Sequence, residues 1–161
     1  MRRLFIAIFC AIAGAVLLAP ASASANGWGP RVGVTMDPDQ IHFGAHTYMG
    51  DISRRVRFQP NIEVGVGDDL TVAAVNFEAL YRFAQNWDVW TPYLGGGVGL
   101  NWYNWDGGRF PGRDDSDMRA GLNVVGGIEK GLRGGDRFLL ELKLGLSDSP
   151  DMKVTAGWTF F

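Results

Sequence analysis

Apolar and polar residues alternate one by one over most of the sequence, and this alternation limits the possible folds more than any other feature. The clearest case is DMKVTAGWTFF, residues 151–161. Its apolar side chains take every second position: Met152, Val154, Ala156, Trp158 and Phe160. Successive side chains of a β-strand point to opposite faces, so this period predicts a strand with one apolar face.

The same period recurs in seven earlier segments that are separated by residues typical of turns. The eight predicted strands are 31–36, 41–49, 54–66, 70–83, 89–103, 117–131, 137–146 and 151–161. Their connections are short and rich in Gly, Asp, Pro and Ser, and the longest is 104–116. After residue 25 no segment repeats apolar residues at the helical spacing of three and four. The pattern therefore predicts one all-β domain of eight strands.

Residues 1–25 have the three parts of a secretory signal peptide. Arg2 and Arg3 precede the apolar run LFIAIFCAIAGAVLLAP, and the small residues ASASA end it. We expect cleavage after Ala25, which leaves residues 26–161 as the folded domain. The alternative is a membrane-anchoring helix that stays attached, and Pro20 disfavours it. The single cysteine, Cys10, lies in the run that would be removed, so no disulfide is expected.

The charge of the mature segment excludes one class of partner. Of the 15 basic residues, 13 remain after Arg2 and Arg3 are removed, against 17 acidic ones, which gives a net charge of −4. No basic excess points to nucleic acid. The segment also lacks the run of about 20 apolar residues that a spanning helix requires. A membrane location would therefore have to be reached with strands.

The predicted strands have one apolar face and one face that carries charges and most of the glycines. The charged face contains Arg55, Arg57, Glu63, Glu78, Arg82, Arg119, Glu129, Glu141, Lys143 and Lys153. The interior of a closed eight-stranded barrel is just wide enough for side chains, so its concave side needs small residues between large ones. We therefore predict a barrel with a polar, glycine-containing interior and an apolar wall that faces lipid. A soluble barrel with an apolar core is the alternative.

Large aromatic residues lie near the ends of the predicted strands, on the apolar face. They are Phe83, Trp90, Trp102, Phe138, Trp158 and Phe160. Transmembrane barrels carry aromatic girdles of this kind at their two membrane interfaces, on either side of an aliphatic band. The girdles favour the membrane barrel over the soluble one. The predicted fold is thus an antiparallel, up-and-down transmembrane β-barrel of eight strands.

Three segments carry a resemblance to a known family: TPYLGGGVGLNWY (91–103), NVVGGIEKGL (123–132) and the aromatic last strand. With them, the mature chain resembles the small eight-stranded outer-membrane barrels, which include the outer membrane protein A barrel and outer membrane protein X. The resemblance implies export to the periplasm and insertion into the outer membrane of a Gram-negative-type bacterium. Its implied partners are membrane lipid, lipopolysaccharide and the outer-membrane assembly machinery, which recognises the last strand. We expect a monomer, and whether Phe160 or Phe161 is recognised stays open.

Acidic residues concentrate in the connections that would face outward. The candidate ligands for calcium or magnesium are Asp37, Asp39, Asp68, Asp69, Asp148 and Asp151. Hard divalent cations take oxygen ligands from such groups. The competing explanation is that aspartate is a common turn residue that keeps loops soluble. We expect no other cofactor.

The sequence contains no recognisable arrangement of a nucleophile and a base. His42 and His46, the only histidines, lie on the charged face, but four residues along a strand separate them by about 13 Å, too far to share a metal. The glycine-rich GGGVG lies within a strand, where a phosphate-binding loop is not expected. We therefore expect a structural or surface-interaction protein rather than an enzyme. The alternatives are a small-solute channel and a lipid-modifying barrel enzyme.

Overall fold

The computed structural model describes residues 26–68, 70–105 and 116–161. The predicted signal peptide, Asp69 and residues 106–115 of the longest predicted connection lie outside this part. The strands are β1 (Gly27–Met36), β2 (Gln40–Tyr48), β3 (Asp51–Ser53), β4 (Val56–Val66), β5 (Leu70–Arg82), β6 (Trp90–Trp105), β7 (Ser116–Gly131), β8 (Arg137–Ser147) and β9 (Met152–Thr159). A single 3₁₀ turn, Arg133–Gly135, joins β7 to β8. Within the described residues no helix is long and apolar enough to cross a membrane.

Eight of these strands close into an antiparallel barrel, which confirms the predicted fold class. Consecutive strands pair along the sheet, β2 pairs with β4, and β9 pairs with β1 to close the ring. Since every connection joins neighbours, the topology is up-and-down. The remaining strand, β3, pairs only with β4 and lies in a segment for which the sequence predicted a turn.

The two barrel ends differ in the connections they carry. The connections after β1, β4, β6 and β8 lie at one end, which we call the loop end. The connections after β2, β5 and β7 lie at the opposite end, together with the start of β1 and the end of β9. We call this the terminal end. At the closing seam, the register runs from Met36 opposite Met152 to Arg31 opposite Gly157, with a further bridge between Trp28 and Phe160.

Side-chain burial is the inverse of that in a soluble domain. The inward face buries charge, as at Glu78, which is fully buried, whereas outward residues such as Val98 are 52% exposed. Exposed apolar residues follow every second position around the wall. Because soluble proteins rarely expose contiguous apolar surface on this scale, the wall requires an apolar surrounding.

Glycine supplies the room for the large polar side chains inside. A Cβ atom added at Gly97 of β6 would lie 2.8 Å from Cγ of Glu78, and one added at Gly99 would lie 2.5 Å from Oδ1 of Asn76. Both distances are shorter than real Cβ contacts, so these inward positions admit no larger residue without a shift of their neighbours. The glycines on the charged face therefore allow the narrow lumen to be filled.

One inward region is apolar, which the alternation did not predict. Leu80 of β5, Tyr93 of β6 and Val125 of β7 form a buried cluster, and Leu139 of β8 is buried as well. These four residues occupy positions of the otherwise charged face. In the part of the lumen that adjoins the terminal end, packed apolar side chains therefore take the place of charged ones.

Candidate functional site

The centre of the lumen is built around one carboxylate, Glu63 of β4. Its Oε1 lies 3.2 Å from Nε of Arg31 and 3.4 Å from Nζ of Lys143, and its Oε2 lies 2.7 Å from Nζ of Lys153. All four side chains are buried. Ion pairs out of water are stronger than at a surface but must offset a large loss of hydration. Three cations on one carboxylate would be unfavourable unless further anions were close.

Two further glutamates supply those anions. Glu78 of β5 forms an ion pair with Lys143, whose Nζ lies 2.6 Å from its Oε1. Glu141 of β8 pairs with Arg31. The hydroxyl of Tyr93 donates a hydrogen bond to Oε2 of Glu141 at 3.1 Å, so the second oxygen of this carboxylate has a neutral donor. Strands on opposite sides of the barrel are thereby linked through its interior.

A second cluster lies nearer the terminal end, around Glu129 of β7. Arg57 of β4 pairs with it from across the lumen. Arg137 and Arg82 approach the other oxygen, at 3.2 and 3.6 Å. The Arg57 guanidinium also lies over the Tyr93 ring, 4.4 Å from its centroid, a favourable cation–π geometry. Arg82 and Arg137 are partly exposed, so this cluster reaches from the buried lumen to the mouth.

The buried charges balance. The buried cations are Arg31, Arg57, Lys143 and Lys153, and the buried anions are Glu63, Glu78, Glu129 and Glu141. Among the described residues, four buried charges of each sign therefore occupy the same narrow space. We call these eight residues the lumen network.

Most residues of the predicted interior set lie where the sequence placed them, but two do not. Seven belong to the lumen network, and Arg82 joins them at the mouth. Arg55 instead lies in the turn before β4, exposed and at φ 68°. Arg119 is exposed on β7, where its Nε pairs with Asp117 at 2.8 Å. Alternation assigns a face but does not tell how far along its strand the barrel interior remains enclosed.

Sequence reasoning missed buried Arg31 and, at the mouth, Arg137. Arg31 is 1% exposed and contacts two glutamates of the network. A signal was present, since Arg31, Gly33 and Thr35 alternate with Val32, Val34 and Met36 in β1. Arg137 is the first residue of β8, where a strand limit is hard to locate from sequence.

Both histidines of β2 are buried and hydrogen-bonded to threonines of β1 and β9. His42 lies between Thr35, 2.9 Å from Nδ1, and Thr155, 2.9 Å from Nε2. Nε2 of His46 lies 2.8 Å from the hydroxyl of Thr159. A hydroxyl beside a histidine is also the arrangement of an activated nucleophile. Here the two histidines are each 1% exposed and the three threonines are 1–5% exposed, so these buried hydrogen bonds connect β1, β2 and β9 at the seam.

At the loop end the connection between β8 and β9 folds across the barrel mouth. Asn101 of β6 donates from Nδ2 to the carbonyl of Asp148 at 2.9 Å and to Oγ of Ser149 at 3.4 Å. The amide of Asp151 donates to the carbonyl of Asp37 at 3.2 Å, and Pro150 is buried. We call residues 147–151 the capping turn.

Two inward glycines make room for this turn. A Cβ at Gly121 would lie 2.6 Å from the carbonyl oxygen of Ser147, and one at Gly145 would lie 2.5 Å from that of Pro150. The capping turn therefore packs directly on the inner wall of β7 and β8. It occupies part of the loop end of the lumen, between Asn101 of β6 and Asp37.

Five of the six candidate cation ligands belong to the described residues, and all five lie at the loop end. Asp37, Asp39, Asp68, Asp148 and Asp151 lie in its connections, and Asp69 is outside the described residues. Among the residues that the structure describes, no three His, Cys, Asp or Glu side chains form a group that could hold a metal. The calcium or magnesium site stays a prediction.

Aromatic residues border much of the terminal end on the outward face. Ring centroids are 6.0 Å apart for Trp28 and Phe160, 6.2 Å for Trp90 and Phe138, and 4.9 Å for Phe138 and Trp158. Phe83 packs edge-to-face against Tyr81, with ring centroids 5.4 Å apart. Trp102, the sixth predicted girdle residue, lies towards the loop end of β6. The apolar wall is thus bordered by rings, most densely at the terminal end.

The closed eight-stranded wall, its polar filled lumen and its ring-bordered apolar exterior define the fold of the small outer-membrane barrels. The Neisserial surface protein A crystal structure is similar at a TM-score of 0.63 and 14% identity, covering 83% of this chain and 94% of that one. The N-terminal barrel domain of Pseudomonas aeruginosa OprF is similar at a TM-score of 0.61 and 12% identity, covering 84% and 93%. At these identities the likeness establishes the fold. No protein-family model and no curated protein sequence matches the chain.

Proposed function

We propose that this protein is an integral outer-membrane barrel with a structural or surface-interaction role, and that its lumen is not an open diffusion pore. The observation that carries the proposal is the lumen network, whose eight buried charges meet across the barrel and cancel. The apolar exterior supports membrane insertion, because it would be costly in water. Outer-membrane lipid and lipopolysaccharide would contact this wall, and the assembly machinery would recognise strand β9.

The filled lumen favours this function over a solute channel. A permeant solute would have to displace ion pairs such as those of Glu63 with Lys153 and of Glu78 with Lys143, each under 3 Å. Breaking a buried pair leaves an uncompensated charge and is strongly unfavourable. At the loop end the capping turn would also have to move. Diffusion through the barrel would therefore require partial unfolding of its interior.

An enzymatic function has less support in the described residues. The histidine–threonine pairs are buried within the wall, and they lack an open cleft beside them. A lipid-modifying enzyme needs its nucleophile within reach of the substrate. The loops of the loop end would then serve as the interaction surface, since they are the outward part of a barrel inserted with its terminal end towards the periplasm.

Fractionation combined with conductance tests the proposal. Expressed with its leader, the protein should fractionate with outer membranes and migrate differently on gels before and after heating. Reconstituted in a planar bilayer of phosphatidylcholine, it should show no steady conductance in potassium chloride. Recovery as a monodisperse protein from a periplasmic extract without detergent would contradict membrane insertion. Stable single-channel steps from the folded, heat-modifiable form would contradict the closed lumen alone.

A further inference from the structure

A groove crosses the outer wall of the barrel near the terminal end. Its volume is about 710 Å³, and it lies over β6, β7, β8 and β9 beside the β5–β6 connection. The apolar lining includes Phe83, Pro92, Leu94, Ile128, Leu140 and Leu142. Ligand sites typically have volumes of roughly 300–1,000 Å³ and mostly apolar linings. The size and lining are therefore suitable for a flexible hydrocarbon chain.

Gly126 forms the floor of this groove. It lies on the outward face of β7, opposite Leu94 of β6 and Leu142 of β8. A Cβ atom added there would meet only Cδ1 of Leu94, at 3.6 Å, an ordinary contact. The absence of a side chain at 126 is thus not required by packing within the wall. It leaves a depression between leucines.

Lys130 lies beyond one end of the groove, two residues along β7 from Ile128 or about 7 Å. It is the one charged residue on the outward face of the described barrel strands. In register it is flanked by Trp90 of β6 and Phe138 of β8, and its Nζ lies over the Trp90 ring at 5.8 Å. Among the described residues it has no carboxylate within 4.0 Å, unlike the lysines of the lumen network.

We propose that the groove and Lys130 form a binding site for one anionic phospholipid of the periplasmic leaflet. An acyl chain would occupy the groove above Gly126, and the headgroup phosphate would pair with the ammonium of Lys130. Charge complementarity favours this occupant, because the groove lining is almost entirely apolar and Lys130 is the charged residue on the outward face beyond its end. The site rests on the proposed membrane location, which places the terminal end at the periplasmic interface.

The two parts of the site make separate contributions. Apolar burial retains any lipid with a suitable chain, whatever its headgroup. A lysine near the membrane surface contributes attraction for anionic lipid, which distinguishes phosphatidylglycerol from phosphatidylcholine. Removing the charge should therefore change selectivity, and filling the groove should change total retention.

The experiment is native mass spectrometry of the folded protein in detergent, titrated with phosphatidylglycerol or phosphatidylcholine. Lys130→Gln should lower the affinity for the first bound phosphatidylglycerol about fivefold, which corresponds to about 1 kcal/mol. It should leave phosphatidylcholine unchanged. Gly126→Leu should remove the tightest bound lipid of either kind. Leu142→Trp adds bulk elsewhere in the lining of the groove and should likewise remove the tightest bound lipid.

Two variants serve as matched controls. Arg133→Gln removes a positive charge at the same barrel end but in the exposed 3₁₀ turn. Ala45→Leu adds an outward side chain on β2, on the opposite side of the barrel from β7. Both should bind lipid as the wild type does. Wild-type selectivity in Lys130→Gln, or equal losses in the two controls, would overturn the site and indicate only annular lipid.

Heat-modifiable migration of each preparation separates this proposal from the one on which it rests. If the wild type folds and inserts but the lipid titrations do not distinguish the variants, the groove site is wrong and the membrane barrel stands. If the wild type fails to insert at all, the proposed function itself is wrong.

Discussion

Glu63 and Lys143 face each other across the full width of the barrel, with Nζ of the lysine 3.4 Å from Oε1 of the glutamate. Their strands, β4 and β8, are four strand steps apart in either direction around the ring. The contact therefore spans the lumen. It shows that the interior is filled by long charged side chains from opposite walls, and it suggests where the barrel is most sensitive to substitution.

Neutralising Glu63 should destabilise the barrel strongly. Glu63→Gln leaves Arg31, Lys143 and Lys153 around a neutral group, and loss of one partner from a buried ion pair costs about 3–5 kcal/mol. Urea unfolding in lipid vesicles, followed by tryptophan fluorescence, measures the change in the free energy of unfolding. The double variant Glu63→Gln with Lys153→Met should recover part of the loss.

Asp117→Asn provides the control for that measurement. Asp117 pairs with Arg119, but about half of each side chain is exposed. Exposed pairs contribute about 0–1 kcal/mol, so this variant should unfold at nearly the wild-type urea concentration. Equal effects of the two substitutions would mean that the lumen network is hydrated like a surface.

The adjacent glycines 126 and 127 should respond oppositely to the same substitution. A Cβ at inward Gly127 would collide with the Tyr93 ring and lie 2.6 Å from the carbonyl of Leu140. Gly127→Val should therefore lower the free energy of unfolding by about 1–3 kcal/mol, or prevent folding. Gly126→Val points outward and should stay within about 0.5 kcal/mol of the wild type. Heat-modifiable migration and urea unfolding compare the two, and equal damage would contradict the assigned faces.

A charge at position 160 should prevent insertion. Phe160 lies on the outward face at the closing seam, where its backbone exchanges hydrogen bonds with Trp28 at 2.8 and 3.0 Å. Phe160→Asp would place a carboxylate against lipid, and we expect unassembled protein in the periplasm. Ile52→Asp is the control, because Ile52 is equally apolar and 63% exposed but lies in β3, outside the barrel wall. Normal outer-membrane assembly of Phe160→Asp would contradict the prediction.

Releasing the capping turn should increase its amide exchange without unfolding the barrel. Asn101→Ala removes the side-chain hydrogen bonds to Asp148 and Ser149. The Asp151 amide, which donates to Asp37, should then exchange faster with deuterium, whereas amides of β8 should not change. Asn104→Ala on the outward face of the same strand is the control. Unchanged exchange at residues 147–151 in Asn101→Ala would show that Asn101 does not hold the turn.

The alternation of residues determined the class of fold and the orientation of its faces. A period of two assigns every strand residue to one side, and only a barrel with lipid outside accommodates glycine and charge on one face and aromatic rings on the other. Eight strands, antiparallel closure and the inward position of Glu63, Glu141 and Lys153 all follow from this local pattern. So does the outward position of Phe160.

The tertiary structure decided which inward residues meet and how far the enclosed lumen extends. Barrel strands are tilted and staggered, and the stagger accumulates around the ring, so the height of a residue depends on the register of every intervening pair. For this reason the sequence did not show that Arg119 lies beyond the enclosed part of the lumen, missed Arg31 as the partner of Glu63, and gave no indication of the capping turn on Gly121 and Gly145. A face is a local property of the chain, whereas a contact across the lumen exists only once the ring has closed.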